Sequence, residues 1–213
     1  VHVIAIFIGL SFIGSLAGFG IKSWNPGFDH DAIGSIVAHG TARLTSIAAV
    51  VSDAGSFALL GPLAVAFVLL RRWKRPADDL SLLVIAAGCA GLPSVIKLIV
   101  QRPRPLFPDV HLLTFSFPSE HTTQAAGIYL TIALLLSKGI ASGRRRLVIA
   151  LAVLMAMAVA WSRVYLGAHY PTDVAAGLLL GWGWALLVFR FARLQLTQSV
   201  TQTVTAPNGA ATS

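Results

Sequence analysis

Three short stretches of the sequence carry polar residues that an apolar segment does not need. Lys97 and Arg104 stand with six residues between them, and Pro105 follows Arg104. Pro118-Ser119-Glu120-His121 forms the second stretch. Ser162-Arg163, followed by His169 and Asp173, forms the third. Together they offer three fixed cations, two imidazoles, hydroxyls and a carboxylate. An excess of cations suits an anion with several oxygens, and phosphate is the first candidate. His169 and Asp173 lie four residues apart. A carboxylate bonded to one imidazole nitrogen leaves the other free as a nucleophile.

Each stretch also has a mechanical reading. Pro103 and Pro105 stop a helix and force an extended path, which swings Arg104 off the helix axis toward Lys97. Lys97 alone reads as a lysine snorkelling to a membrane surface. Pro118-Ser119 reads as a helix start, with Ser119 as N-cap and Glu120 and His121 in the first turn. Taken alone, Ser119 is a simple cap. Taken with its neighbours, it opens an anion site at free backbone N–H groups. Pro171 suits the first position of the next helix, and Asp173 then lies in its first turn, where the helix dipole keeps it ionised. Arg102 reads as a solvated loop cation beside the site, or as an accessory contact to a diphosphate or headgroup.

These residues need elements to hold them, and composition says which. Of 213 residues, 56% are hydrophobic and 11% charged, where water-soluble domains carry about 25% charged residues. That excludes a disordered chain, a coiled coil and an ordinary cytosolic enzyme. The net charge of +8 comes in short clusters between apolar runs, which is how membrane topology is written and not how nucleic acid is bound. Six segments approach the length that a bilayer core requires: 1–21, 47–70, 80–101, 122–137, 147–162 and 173–191. The first lacks a basic leader and a cleavage pattern, so it reads as a span. The second is interrupted only by Asp53, an intramembrane acid that is either functional, near the outer surface, or bonded to a neighbouring helix. Between spans one and two, Ile33, Ile36 and Val37 at helical spacing behind Asp29 and Asp31 suit a short helix on the outer membrane surface, or an ordinary loop. His111 reads as a loop residue. Trp161, Tyr165, Tyr170, Trp182 and Trp184 read as interface belts or packing surfaces. Cys89 is the only cysteine, so no intramolecular disulfide forms.

Orientation follows from the basic residues. Arg71, Arg72, Lys74, Arg75, Lys138, Arg144, Arg145, Arg146, Arg190 and Arg193 fall on one side, assigned as cytoplasmic. Both termini lie there. The three polar stretches fall on the opposite face, at one outer mouth. The expected architecture is one all-α six-span bundle over residues 1–193, with residues 194–213 as a mobile cytoplasmic tail.

Lys-x6-Arg-Pro, Pro-Ser-x-His and Ser-Arg-x5-His-x3-Asp, in this order, resemble the type 2 phosphatidic acid phosphatase (PAP2) superfamily, which includes vanadium haloperoxidases and bacterial acid phosphatases. The motifs fix ten identities between Lys97 and Asp173. The resemblance implies that Lys97, Arg104, Ser119 and Arg163 hold phosphate and that His169 forms a phosphohistidine. It implies that Asp173 orients His169, that His121 protonates the leaving oxygen, and that no metal or other cofactor is needed. It implies an integral-membrane lipid phosphatase acting on a lipid phosphomonoester or diphosphate, with its site facing the exterior of a bacterial cell membrane. A phosphotransferase using the same intermediate and a phosphate transporter without catalysis are the alternatives. Glu120 departs from the pattern, which usually has Gly there. It is either a first-turn acid turned outward, which suits the dipole, or a residue that alters activity.

Overall fold

The computed structural model describes residues 2–71, 75–106 and 114–205. Arg72, Lys74, His111 and the tail from 206 to 213 lie outside the described residues. The described chain is all-helical: α1 (His2–Trp24), α2 (Gly27–His39), α3 (Ala42–Asp53), α4 (Phe57–Leu70), α5 (Pro76–Val100), α6 (Glu120–Leu136), α7 (Ser142–Tyr165) and α8 (Pro171–Thr205). Helices α1, α5, α7 and residues 171–192 of α8 are long and apolar enough to cross a membrane. Helices α3 and α4 would make a fifth crossing if counted as one span bent by 41°. The remaining expected span, the fourth in chain order, is α6, which has only 17 residues and packs at the centre of the bundle.

The second span is therefore not continuous. Its helix stops at Asp53 and restarts at Phe57. The reason lies in Gly55: a Cβ there would come within 2.4 Å of Val159 and 3.0 Å of the His121 carbonyl. The chain can pass this close to α6 and α7 only as bare backbone. Tyr129 donates its hydroxyl hydrogen to the Ala54 carbonyl at 2.7 Å, satisfying an acceptor at the break. Asp53 is consequently an exposed residue at a helix end. The segment between the first two spans forms the helix α2. At the other end of the chain, α8 continues to Thr205.

Lipid supplies no hydrophobic force between helices, so close contact must come from small residues. Helices α6 and α8 share the densest interface. A Cβ on Gly181 would lie 2.3 Å from the Thr123 carbonyl of α6, so no larger residue fits without moving backbone. Trp184 fills the space beside Gly88 and donates its indole N–H to the Ile85 carbonyl at 3.2 Å. At the basic end, Arg71 bridges Asp79 at 3.0 Å and Asp78 at 3.8 Å, and Lys138 pairs with Asp78, tying the end of α4 to α5 and to the α6–α7 turn. At the other end, Lys22 of α1 donates to the Val100 carbonyl at 2.9 Å, closing the α5 C-terminus.

Gly181→Ala is expected to lower the melting temperature in detergent by on the order of 5 °C, because it overpacks the α6–α8 contact. Gly183→Ala, on the same helix with open space at its Cβ, should leave it unchanged. Equal shifts for both would show that the α6–α8 approach is not what limits stability.

Candidate functional site

The four helices α5 to α8 alternate in direction, so the end of α5, the start of α6, the end of α7 and the start of α8 meet at one end of the bundle. That brings together all three polar stretches. Helix α5 ends at Val100 with Gln101 left-handed (φ 51°), two residues before Pro103. The chain from 101 to 106 is non-helical. Arg104 lies close enough to Lys97 for the two charges to interact. Its Nε and Nη2 donate to the carbonyl and hydroxyl of Thr114 at 2.7 Å each, and its Nη1 donates to the Ala168 carbonyl at 2.6 Å.

The same Nη1 lies 3.2 Å from Nε2 of His169. A guanidinium has only hydrogens to offer, so Nε2 must be the acceptor and carries no proton. The ring proton then sits on Nδ1, which stands 3.6 Å from Asp173 Oδ2. That is ion-pair range, longer than a hydrogen bond. His169 is 1% exposed. Burial pushes its pKa down to about 3; Asp173 opposes the fall, while Arg104 and Arg163 add to it. The ring is neutral across ordinary pH, with an unprotonated nitrogen facing a cation. Arg104 itself is held below the usual arginine value, first by burial, with Asp173 and Glu120 opposing.

Arg163, in the last turn of α7, donates to Ser52 Oγ at 2.6 Å. Its Nε is buried without a hydrogen-bond partner among the described residues, as is His169 Nδ1. Ser119 occupies the N-cap position of α6, but its hydroxyl caps no backbone N–H. It accepts from Thr122 Oγ1 at 3.0 Å, while the Ser119 N–H donates to the Asp173 carbonyl at 3.1 Å. Simple capping is thus not what this serine does. His121 is partly buried and has Arg163, Glu120, Lys97 and Asp53 as its charged neighbours.

Glu120 is not turned away from the cations. Its Oε2 lies 3.3 Å from Lys97 Nζ, and Oε1 accepts from Ser94 Oγ at 3.4 Å. Nor is Arg102 a solvated loop cation or a spare phosphate contact. It is 2% exposed, pairs with Asp173 at 2.7 Å and Asp29 at 2.8 Å, and lies over the Tyr170 ring at 4.3 Å. Burial draws its pKa down, but the two carboxylates more than offset this and hold it above the usual value. Arg102 is therefore committed to carboxylates, while Arg104 and Arg163 act on His169; Lys97 is paired with Glu120, and Asp53 and Asp173 lie near Arg163 and Arg104 without an ion pair among the described residues.

The profile described as the PAP2 superfamily matches residues 79–196, more than half of the chain. The chain belongs to the PAP2 superfamily. Phosphatidylglycerophosphatase B of Bacillus subtilis (strain 168) is 39% identical over 112 residues, which cover 51% of this chain and 55% of that protein. This PAP2 chain thus spans about half the length of that relative. Undecaprenyl-diphosphatase BcrC of the same organism is 31% identical over 142 residues, covering 62% of this chain and 69% of that protein. The crystal structure of a transmembrane PAP2-type phosphatidylglycerolphosphate phosphatase from Bacillus subtilis superposes with a TM-score of 0.75 at 30% identity, covering 91% of this chain and 96% of that one. Like that neighbour, this PAP2 chain is an integral membrane protein.

Sequence reasoning missed Ser52, Thr114, Thr172 and the role of Asp29. Ser52 stands next to Asp53, the residue that drew attention, yet it is the serine that meets Arg163. Only the weak polarity of a serine in an apolar run marked it.

The burial of a neutral His169 carries a pH signature. The unfolded chain takes up this proton near pH 6.5 and the folded one only near pH 3. Between these values the unfolded state binds more protons, so stability is lost as pH falls from about 6.5 toward about 3. Melting in detergent should therefore show a steeper fall between about pH 7 and about pH 5 for wild type than for His169→Asn. Parallel curves would mean that the ring is already protonated in the fold.

Proposed function

We propose that this protein is an integral-membrane lipid phosphatase that works through a phosphohistidine on His169. The observation that carries this reading is the unprotonated Nε2 of a buried histidine 3.2 Å from Arg104, in a group of cations of which Arg104 and Arg163 have no ion-paired acid among the described residues. Lys97, Arg104 and Arg163 with the Ser119 hydroxyl hold the phosphoryl oxygens and neutralise their charge as it redistributes. Nε2 forms a bond to phosphorus as the bond from phosphorus to the lipid oxygen breaks, and His121 gives that oxygen a proton. Water then attacks phosphorus, the N–P bond breaks, and His121 recovers the proton.

A lipid substrate is supported by the surroundings. A groove of about 430 Å³ runs between Phe57, Ala58, Gly61, Pro62 and Val65 of α4 and Leu83, Ala86 and Ala87 of α5. Leu83, Ala87, Ser94 and Lys97 follow one another at helical spacing along α5, so an acyl or prenyl tail in this groove points its phosphate toward Lys97. The relatives support the same class, being named for phosphatidylglycerophosphate and undecaprenyl diphosphate. We take α6 as a short sixth span, the basic ends as cytoplasmic and the site as facing the exterior of a bacterial cell membrane, with residues 1–193 as one catalytic domain.

The test is phosphate release in detergent from phosphatidylglycerophosphate, undecaprenyl diphosphate and phosphatidate. Wild type should turn over at least one, chelator should not inhibit, vanadate should, and His169→Ala should abolish release. Turnover retained in His169→Ala would overturn the mechanism, and phosphate appearing on an added acceptor lipid would make the protein a transferase.

Glu120 competes with phosphate for Lys97. Since that pair is partly exposed, Glu120→Gly should lower KM by about two- to fivefold with turnover kept or raised. A tenfold loss of turnover would instead give Glu120 a chemical role of its own.

A further inference from the structure

Asp173 is engaged at both oxygens. Oδ2 accepts the Tyr170 N–H at 2.9 Å and faces His169, and Oδ1 accepts from Arg102 Nη1 at 2.7 Å. A carboxylate fully paired with a guanidinium has little net charge left to offer a neighbouring ring. Here, however, the guanidinium is shared. Its Nη2 donates to Asp29 Oδ2 at 2.8 Å. Two carboxylates on one cation leave the cluster with a net charge of about −1.

Asp29 comes from α2, far from every motif and outside the stretch that the PAP2 profile matches. It is held firmly. Its Oδ1 accepts the Thr172 N–H at 3.1 Å and its Oδ2 accepts the Thr172 hydroxyl at 2.6 Å, while that hydroxyl also accepts from Arg102 at 2.7 Å. Asp29 thereby caps the start of α8, the helix that carries Asp173. Asp29, Arg102 and Asp173 are all buried. Such buried charge groups contribute little to stability compared with apolar residues of equal volume, so stability alone does not account for this one.

We propose that Asp29 is a positioning residue for phosphoryl transfer, acting through Arg102 to leave Asp173 the negative charge that the phosphorylated, cationic ring of His169 requires. The proposal rests on the phosphohistidine reading. When Nε2 bonds to phosphorus while Nδ1 keeps its proton, the imidazole acquires positive charge. Nδ1 at 3.6 Å from Asp173 then has a carboxylate ready to close on it. Without Asp29, the Arg102–Asp173 pair is neutral and that charge forms unsupported. The docking of α2 is, on this account, part of the catalytic apparatus.

The experiment uses the full chain in detergent and the best-used lipid among phosphatidylglycerophosphate, undecaprenyl diphosphate and phosphatidate. Asp29→Asn keeps the shape and removes the charge. It should lower kcat by about tenfold to a hundredfold with KM changed by less than about threefold. Asp29→Glu should restore part of kcat. Removing the surplus cation as well, in Asp29→Asn/Arg102→Gln, should raise kcat above that of Asp29→Asn, a rescue that a purely structural role cannot produce. Should Asp29→Asn not elute as one species, Asp29→Ser stands in under the same criteria. With His169→Ala inactive, wild-type kcat in Asp29→Asn, or a double variant no better than the single, overturns this inference alone. Activity in His169→Ala, or no turnover by wild type, overturns the phosphohistidine reading and this inference with it.

Discussion

A cation buried near a lipid bilayer must find partners, and the end of this bundle that holds the site gathers four: Lys97, Arg102, Arg104 and Arg163. What each one finds sorts their roles. Arg102 has two carboxylates and is over-neutralised. Lys97 has one partly exposed carboxylate. Among the described residues, Arg104 and Arg163 bond only to carbonyls, hydroxyls and a histidine nitrogen, with Asp173, Glu120 and Asp53 acting on them from beyond ion-pair distance. Neutral oxygens satisfy the donors of an arginine but leave its charge in place. The positive charge therefore concentrates where the neutral partners are, around His169, and a polyanion is what balances it. The rest of the site follows from this placing of acids and neutral acceptors.

The same distribution prepares the histidine. A cation facing Nε2 keeps that nitrogen unprotonated, and a carboxylate beyond Nδ1 keeps the proton on the other side. Burial makes both effects stronger, since nothing but protein screens them. The cost is a stability that depends on the ring staying neutral, so the unprotonated Nε2 and the expected acid sensitivity of the fold have one physical origin. Ser119 fits the pattern: a hydroxyl at a helix start that does not cap is free to serve another acceptor.

The sequence was most legible where chemistry and local structure coincide. His169 and Asp173 share a turn boundary marked by Pro171, and Lys97 and Arg104 flank the end of a helix, so type and spacing were enough to draw them into one site. It was least legible where a residue's role depends on a distant partner. Arg102 looked solvated because its neighbours in sequence give it no acid; Asp29 supplies one from a different helix. Glu120 looked outward-facing because the helix dipole alone explains an acid there, and Lys97 enters only through the crossing of α5 and α6. The second span looked continuous because apolar composition does not register that bare backbone must pass His121 at Gly55. Hydropathy sees side chains one at a time, and these features are all pairwise.

That contrast divides the molecule. The stretch matching the PAP2 profile covers most of α5 to α8, and these helices and the connections between them carry the ten motif residues. Helices α1 to α4 lie before it, yet they are not a passive sheath. Ser52 from α3 holds Arg163, Asp29 from α2 loads Arg102, Lys22 from α1 closes α5, and α4 walls an apolar groove with α5. The first two of these contacts reach the site directly: Arg163 is a motif residue, and Arg102 bonds to the motif residue Asp173. A short motif can recur across many membrane phosphatases because it needs only phosphate. The charge state of the residues behind it, and the shape of the path to it, are set by the part of the chain that the motif does not describe.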